Sequence, residues 1–448
     1  MRRVALAIFA VMVCLCGIAV AVSAQKTGAA RGAANGAEHA ATVDMNLVKP
    51  EAVGFSAERL ENLHKLMQGT VDRKELPGAV TILARHGKVV DYRVYGMKDT
   101  ESGAALAKDS IFRDFSMTKP VTAVAMMILF EQGKWLPIDP ISKYIPEFKD
   151  LKVFKDVDAA GNMVVEAPKH APTMGELMTH TAGFTYGFFG DTPVDKEYRK
   201  QDVMNSKSLQ EFIDKLSKIP LMYQPGTKWS YSSSMDVQGY IIEKLSGQSL
   251  PEFYAEHIFK PLGMKDAGFF VPADKRNRFV TLYTGDGKEP LKPMQARFNY
   301  DAEPGMPSGG GGMVSTAEDY FRFASMLANG GELNGVRILS PESVTMMSSN
   351  HLAPNLLTGE FGIGMHTMRA GFGYGYNCAV IFDPPMEGFA DGKGEYFWDG
   401  AAGTWFWVDP TNDVVFVGMI QRMLGPASPN VEYLSRAAIY GALVEPKK

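Results

Sequence analysis

An apolar run with a lysine just ahead of it constrains the fold of this chain more than any other feature. Residues 121–130, "VTAVAMMILF", place apolar side chains on every side of a helix, so this helix must be buried all round inside a large core. Lys119 lies two residues before the run. Because burial disfavours an ammonium group, we expect Lys119 to lose its proton more easily than a surface lysine and to serve as a base.

The first 24 residues predict a secretory signal peptide. "MRRVALAIFAVMVCLCGIAVAVSA" combines two arginines, a long apolar run and a small-residue cleavage pattern at its end. The apolar run is longer than a usual signal core, so an uncleaved membrane anchor stays the alternative. Residues 25–45 lack apolar periodicity and predict a flexible leader. We therefore expect a periplasmic or secreted protein that contacts a membrane only if this segment is not cleaved.

The composition excludes several classes of protein. Of the three cysteines only Cys378 lies beyond the predicted signal peptide, so no intramolecular disulfide is expected and the fold must rest on its hydrophobic core. The net charge of −4 gives no attraction to nucleic acid. The eight histidines show no metal-ligand spacing, so we expect neither a metal nor another cofactor.

Strand-like patterns lie near both ends of the chain, and helical patterns lie between them. "GAVTILARHG" and "KVVDYRVYGM" predict a hairpin that turns at His86-Gly87, and four further strands alternate with turns between residues 377 and 421. We therefore predict an α+β fold with one antiparallel sheet, flanked by helices, and an inserted, mainly helical lobe. The predicted sheet domain is discontinuous, covering residues 46–140 and 291–448, with the helical lobe at 141–290 and a cleft between them.

Ser116 and Lys119 are the first candidates for chemistry. Ser116 opens the buried helix, where free backbone N–H groups favour a developing anion, and Lys119 lies three residues on along the same face. The pattern indicates a nucleophile beside a group that takes its proton. The alternative is a helix-capping serine next to a surface lysine.

Two later segments could complete a site. In Tyr231-Ser232-Ser233, a tyrosine whose pKa is lowered by a neighbouring lysine could act as a general base, with the hydroxyl of Ser233 on the same side. After Trp398-Asp399, Gly400 and Gly403 indicate close backbone approach by a ligand, and an N–H here could join that of Ser116 in an oxyanion hole. The alternatives are core packing of the tyrosine and a bent core strand.

These three segments, in this order and with these separations, resemble the motifs of the class C β-lactamase and penicillin-binding-protein superfamily, with the family VIII carboxylesterases as the closest branch. The resemblance implies a β-lactamase-like fold and an acyl-transfer serine hydrolase without a metal. It implies that Ser116 attacks, that Lys119 and Tyr231 move the proton, and that the N–H groups of Ser116 and Ala401 hold the oxyanion. Supporting stretches are "LMTHTAGFTYGFFGD", "PLGMKDAGFF" and "GGGGMVSTAEDYFRFASMLANGG".

Two departures from the superfamily pattern favour an esterase of small carboxylic esters with weak β-lactam hydrolysis. Ser233 stands where class C β-lactamases carry an asparagine, and Trp398-Asp399-Gly400 replaces Lys-Thr-Gly, which removes the cation that helps to bind a β-lactam carboxylate. A β-lactamase, a D,D-peptidase or D-aminopeptidase, and an acyltransferase stay open as alternatives. An inactive penicillin-binding-like protein that only binds a ligand is the non-enzymatic alternative.

The expected partner is a small-molecule ester or amide. Candidate substrate contacts are Ser233, Trp398 and Gly400, joined by an aromatic loop that either lines an apolar pocket or packs the helical lobe. The loop residues are Phe184, Tyr186, Phe188 and Phe189.

Two other motifs receive structural interpretations. His180 is expected at the end of a helix, without a catalytic role. Ser315 and Glu318 predict a capping box for the helix that follows the glycine run.

Overall fold

A computed structural model describes residues 43–357, 361–363, 366–368, 370–388 and 390–445. The predicted signal peptide and residues 25–42 of the predicted leader lie outside this part of the chain. At the end of that leader, Val43 and Met45 already pack against the hydrophobic core, so the folded part begins before residue 46. In the part of the chain that is described, no helix combines the length and the hydropathy needed to cross a membrane.

An eight-stranded antiparallel sheet joins the two ends of the chain, as the strand patterns predict. The strands are β1 (Gly78–Arg85), β2 (Lys88–Asp99), β3 (Ala104–Ala105), β4 (Phe372–Tyr374), β5 (Ala379–Ile381), β6 (Tyr396–Asp399), β7 (Trp405–Asp409) and β8 (Val414–Met419). Their order across the sheet is β4-β5-β6-β7-β8-β1-β2-β3. The central contact pairs β1 with β8, from Val80 opposite Met419 to Arg85 opposite Val414.

Helices cover both faces of the sheet and fill the segment between its two halves. They are α1 (Ala57–Asp72), α2 (Thr118–Glu131), α3 (Met174–Met178), α4 (Pro193–Lys200), α5 (Leu209–Leu216), α6 (Ser234–Ser246), α7 (Leu250–Tyr254), α8 (Lys260–Leu262), α9 (Ala317–Ala328), α10 (Pro341–Met347), α11 (Pro384–Glu387) and α12 (Val431–Ala442). The packing of α1 against α12 and β2 covers one side, and α9 lies on β1, β7 and β8.

The remaining strands form short antiparallel pairs outside the main sheet. These are Phe112–Arg113 with Val314–Ser315, Val153–Val157 with Met163–Glu166, Tyr283–Thr284 with Lys292–Pro293, Glu332–Leu333 with Val336–Arg337, and Phe361–Ile363 with His366–Met368. The first pair matters for function, because it lies directly before the helix that Ser116 opens.

Turn chemistry and strand alternation explain the geometry of the sheet. His86 and Gly87 have φ values of 52° and 67°, the left-handed conformation of a tight hairpin turn. Phe397 in β6 and its cross-strand partner Trp407 in β7 lie beneath the guanidinium group of Arg436 in α12. The centres of their rings are 4.4 and 4.8 Å from the central carbon of that group. The next residues along each strand point to the opposite face of the sheet, where the ring of Phe406 lies 5.1 Å from the ring of Tyr320 in α9.

Helix α2 is buried along its length, as its apolar sequence predicts. Every residue from Thr118 to Leu129 is buried, and the helix packs against α6, α7 and α10. At its far end the indole N–H of Trp135 donates a hydrogen bond of 2.8 Å to the Met126 carbonyl. The structure therefore holds the segment that begins at Ser116 inside the core, where it cannot shift without disturbing several helices.

A buried polar network fastens α12 to the sheet. Arg436 donates to Glu395 at 2.9 Å and to Glu432 at 3.1 Å, and the Arg436 and Glu395 side chains are only 2% and 0% exposed. The Tyr440 hydroxyl lies 2.6 Å from a Glu395 oxygen and 2.7 Å from an Asp409 oxygen. Because one hydroxyl has one proton, the second contact needs a protonated carboxyl group. Burial raises the pKa of Glu395 well above its usual range, which supplies that proton.

Replacing Arg436 by methionine should lower the free energy of unfolding by about 1–3 kcal/mol, because the carboxyl groups of Glu395 and Glu432 then lose their buried hydrogen-bond donor. Urea denaturation followed by circular dichroism measures this loss. The matched control is Arg73→Met, which breaks the exposed ion pair with Glu75 and should cost at most about 1 kcal/mol. Equal, small losses in both variants would contradict the structural role of the network.

Candidate active site

Ser116 lies at a strained corner between the short strand Phe112–Arg113 and α2. Phe115 has a φ of 46°, a left-handed conformation that a bulky side chain rarely adopts and that typically costs about 1–3 kcal/mol. A 3-10 turn, Phe115–Met117, then leads into the helix, and the Met117 N–H donates to the Asp114 carbonyl at 3.1 Å. This corner leaves Ser116 partly exposed at the start of an otherwise buried helix.

Lys119 behaves as the sequence predicts. Its Nζ is fully buried and donates hydrogen bonds to Ser116 Oγ at 3.0 Å and to the Gly310 carbonyl at 2.6 Å. Burial lowers the pKa of Lys119 to about 7, and the longer-range attractions of Asp236 and Asp399 offset this effect only in part. A large fraction of Lys119 is therefore a neutral amine near neutral pH, with a lone pair beside the Ser116 hydroxyl.

Tyr231 completes the cluster around the serine. Its hydroxyl donates to Ser116 Oγ at 2.7 Å, and Lys119 Nζ lies 4.4 Å from the centre of its ring. The predicted lowering of the Tyr231 pKa is wrong, because burial raises it well above its usual range. Tyr231 is thus a neutral phenol at rest, suited to passing a proton on, while Lys119 is the group that can accept one.

His180 packs against the ring of Tyr231. The Ser232 N–H donates to His180 Nδ1 at 3.2 Å, and the imidazole lies 4.8 Å from the Tyr231 ring. Burial lowers the pKa of His180 well below its usual range, so the ring stays neutral. Its contacts orient the loop that carries Tyr231, and no hydrogen bond joins it to Ser116 within the described residues. His180 therefore acts as a support for the tyrosine.

A backbone contact brings the end of β6 to the serine. A Cβ on Gly400 would clash with the Asp114 carbonyl and with the Thr404 hydroxyl, which itself donates to that carbonyl at 3.0 Å. The missing side chain of Gly400 therefore accommodates the protein's own backbone. The next residue, Ala401, lines the same cavity as Ser116, and its N–H has no hydrogen-bond partner in the described part of the chain. Ala401 and Ser116 can thus supply the two donors of an oxyanion hole.

The glycine run after Ser308 forms another wall of the site. Asp236 of α6 accepts from the Ser308 hydroxyl at 2.5 Å and from the Gly310 N–H at 3.4 Å. A Cβ on Gly310 would lie 2.6 Å from the Tyr186 hydroxyl, so a side chain here would displace Tyr186 from the cavity wall. Since the Gly310 carbonyl accepts from Lys119, Asp236 positions the acceptor that holds the amine.

The segment after the glycine run differs from its prediction. Helix α9 is capped by Thr316, whose hydroxyl accepts from the Asp319 N–H at 3.1 Å. Ser315 instead donates to the Asp114 carboxyl group at 2.7 Å, next to the nucleophile corner. Burial raises the pKa of Asp114 to about 8. The predicted capping box of Ser315 and Glu318 is thus wrong, because Ser315 pairs with Phe112 in a strand contact and the helix cap falls one residue later.

An apolar cavity of about 370 Å³ opens onto Ser116. Of the predicted substrate contacts, Tyr186, Phe188 and Phe189 line it. The other lining residues are Phe115, Met204, Tyr231, Leu282, Met294, Ala296, Arg297, Phe298, Ser308, Gly310, Gly311, Ala401 and Met423. Arg297 is the one charged side chain among these residues, and nothing in the sequence pattern distinguishes it.

The structure places three other predicted contacts behind the cavity wall. Phe184 is buried in the helical lobe, with its ring 5.6 Å from that of Phe148. Ser233 is buried and donates to the Thr185 carbonyl at 3.2 Å. Trp398 packs its ring 5.7 Å from that of Tyr231 and supports it. These residues shape the site through their neighbours and do not face the cavity.

The fold and this serine, lysine and tyrosine cluster define a β-lactamase-fold hydrolase or acyltransferase. The family model described as "Beta-lactamase" matches residues 63–440, and the chain belongs to this family. The structure also agrees with the class C β-lactamase and penicillin-binding-protein branch that the motifs resemble. Within the described residues, no group of three or more His, Cys, Asp or Glu side chains is arranged to hold a metal ion.

Individual proteins that this chain is similar to include esterases. "Protein Rv1367c" of Mycobacterium tuberculosis is 34% identical over 371 residues, covering 82% of this chain and 90% of that protein. "Esterase EstB" of Burkholderia gladioli is 29% identical over 390 residues, covering 82% and 91%. The solved structure of "EstCE1, a hydrolase with promiscuous acyltransferase activity" has a TM-score of 0.71 and 24% identity, covering 86% of this chain and 99% of that one, and shows the shared fold.

The pKa of Lys119 gives the site a defined pH dependence. A base must be unprotonated to accept a proton, so kcat/KM for any substrate that Ser116 attacks should be constant above pH 7 and fall about tenfold per pH unit well below it. Asp236→Asn should move this acidic limb to lower pH, because the Asp236 charge favours the ammonium form. Lys119→Arg should lose the activity, since arginine stays protonated. A limb unmoved by Asp236→Asn would argue against Lys119 as its origin.

Proposed function

We propose that this protein is a carboxylesterase that cleaves small carboxylic esters through an acyl-enzyme on Ser116. The observation that carries the proposal is the placement of Ser116 Oγ, 3.0 Å from the Lys119 amine and 2.7 Å from the Tyr231 hydroxyl, at the wall of an apolar cavity. A nucleophile needs a base at hydrogen-bond distance and a site that holds the carbonyl group of the substrate next to it. Lys119 is such a base, and the cavity beside Ser116 is such a site.

In the proposed acylation step, the neutral Lys119 amine takes the hydroxyl proton of Ser116 as Oγ bonds to the ester carbonyl carbon. The carbonyl oxygen becomes an oxyanion, which the N–H groups of Ser116 and Ala401 stabilise. When the carbon–oxygen bond to the alcohol breaks, the proton passes from Lys119 through the Tyr231 hydroxyl to the departing oxygen. Lys119 is then neutral again and ready for the second half-reaction.

Deacylation repeats the same transfers with water. The Lys119 amine takes a proton from a water molecule as its oxygen bonds to the acyl carbon. The second tetrahedral intermediate uses the same two N–H donors. Its collapse breaks the bond to Ser116 Oγ, which recovers its proton, and releases the carboxylic acid. Each product atom and proton is supplied by ester and water, so the proposed reaction needs no cofactor.

Two placements support an ester rather than a β-lactam as the main substrate. Ser233 is buried with its hydroxyl on a backbone carbonyl, so it offers no amide to a lactam side chain. Trp398 occupies the position of the superfamily's lysine and packs against Tyr231, so it offers no cation to a lactam carboxylate. We therefore propose that any β-lactam hydrolysis is slow.

The names of similar proteins support the same substrate class, since "Esterase EstB" and "Lovastatin esterase" are both similar to most of this chain. We also propose that the protein is exported, on the basis of its first 24 residues. Its partners are then small ester molecules outside the cytoplasm, with neither nucleic acid nor a metal involved.

The central test is hydrolysis of p-nitrophenyl butyrate and of a chromogenic cephalosporin by the purified chain. Ester hydrolysis should be readily measured, cephalosporin hydrolysis should be slow or absent, and Ser116→Ala should reduce ester turnover by at least about 10³-fold. The matched control is Ser102→Ala, an exposed serine outside the site, which should retain activity. Rapid cephalosporin turnover would favour a β-lactamase, and no turnover that depends on Ser116 would favour a binding protein or a peptidase.

Phe188 and Phe189 should set the preferred acyl-chain length. Their rings contact each other at 4.5 Å, line the cavity and are 49% and 53% exposed, so they form its outer wall. Phe188→Ala should shift the preference toward longer acyl chains by about tenfold in relative kcat/KM, measured over a series of p-nitrophenyl esters. Phe270→Ala removes an exposed ring that does not line the cavity and is the control. An unchanged chain-length profile in Phe188→Ala would show that this loop does not contact the acyl group.

A further inference from the structure

Arg297 is a cation in a wall that is otherwise uncharged. Every other described residue that lines the cavity of Ser116 is apolar, aromatic, glycine or a neutral hydroxyl side chain. Arg297 is an exposed residue, so water can solvate its guanidinium group while the cavity is empty. Its position at the cavity therefore leaves a positive charge available to an anion that enters with the substrate.

The protein supplies only a neutral partner. Arg297 donates from Nε and Nη2 to the same atom, Asn205 Oδ1, at 3.2 and 3.1 Å. Within the described residues, no carboxylate oxygen lies within 4.0 Å of the guanidinium, although Asp202 and Asp236 act on it at longer range. The Nη1 donors have no hydrogen-bond partner in the described part of the chain. Arg278, by contrast, makes two hydrogen bonds to the Asp266 carboxylate.

Two aromatic rings hold the guanidinium in place. Its central carbon lies 5.7 Å from the centre of the Phe188 ring and 5.9 Å from that of Phe298, and both rings line the same cavity. Aromatic faces favour a cation, and the two rings restrict the positions that the guanidinium group can take. The fork of N–H donors is thus fixed in orientation, which suits a planar, two-oxygen anion better than a single neutral acceptor.

We propose that Arg297 recognises a carboxylate group carried by the ester substrate, in its acyl part or in its alcohol part. This inference rests on the proposed esterase function of the same site and narrows its substrate class to singly charged esters. The carboxylate pairs with the free donors of Arg297, while the apolar remainder of the substrate occupies the cavity and presents its ester carbonyl to Ser116.

Two pairs of esters test the inference and locate the charge. For the acyl part, p-nitrophenyl hemiglutarate is compared with the neutral p-nitrophenyl hexanoate. For the alcohol part, p-acetoxybenzoate is compared with its neutral methyl ester. In one of the two pairs, Arg297→Gln should lower the ratio of kcat/KM for the charged ester to kcat/KM for the neutral ester about tenfold or more. The change should come mainly from a higher KM for the charged ester. The pair that responds shows which part of the substrate carries the carboxylate.

Two further variants separate specific recognition from a general effect of charge. Arg297→Lys keeps the positive charge and should recover part of the preference. Lys292→Gln removes one positive charge from an exposed residue of the same segment that does not line the cavity, and should leave the preference unchanged. Equal losses for charged and neutral esters in Arg297→Gln, in both pairs, would overturn the inference even where Ser116-dependent hydrolysis persists.

A binding measurement keeps the test independent of turnover. Isothermal titration of Ser116→Ala with p-acetoxybenzoate and with monomethyl glutarate should give binding that the double variant Ser116→Ala/Arg297→Gln loses by about tenfold or more in Kd. Binding of neither anion to Ser116→Ala, together with equal kinetic losses, would refute anion recognition. Arg297-dependent binding without any ester hydrolysis would retain the anion site and refute only the esterase function.

Discussion

The active site depends on removing the Lys119 amine from water. Both groups that Nζ contacts at hydrogen-bond distance, the Ser116 hydroxyl and the Gly310 carbonyl, are neutral. Asp236, the carboxylate that could restore the ammonium form, instead accepts from Ser308 and from the Gly310 N–H. Burial therefore outweighs attraction and brings the pKa of Lys119 to about 7. A direct ion pair would have stabilised the charge and removed the base.

Holding this amine beside its serine requires rigid surroundings on several sides. The buried length of α2 fixes Lys119 and Ser116 relative to each other, and the Asp114 carbonyl fastens the corner before them to Thr404. The missing side chain of Gly400 permits that contact, so the end of β6 reaches the nucleophile. Pairing of β1 with β8 closes the sheet that supports this edge, and residues nearly 300 positions apart in sequence thus share one site.

The cavity combines this polar cluster with an apolar interior, and the contrast sets what the site can bind. Tyr231 is packed among aromatic rings and keeps its proton, so in the proposed mechanism proton transfer starts at Lys119 and passes through the phenol. The aromatic wall at Phe188 and Phe189 suits the apolar acyl or alcohol groups of the proposed substrates. Arg297 adds one fixed positive charge to that wall. An ester that is mostly apolar and carries one anionic group matches all three features.

The sequence by itself determined the candidate residues of the site and the outline of the fold. The apolar run 121–130 required a buried helix, the lysine ahead of it required an altered pKa, and the strand patterns at both ends predicted one antiparallel sheet, because each of these follows from local periodicity and burial. Only the tertiary structure decided the sign of the Tyr231 pKa shift, the protein contact made by Gly400, the pairing of Ser315 with Asp114 and the place of Arg297 in the cavity. Those properties depend on tertiary contacts between residues that are far apart in sequence, and the spacing of residues along the chain does not specify such contacts.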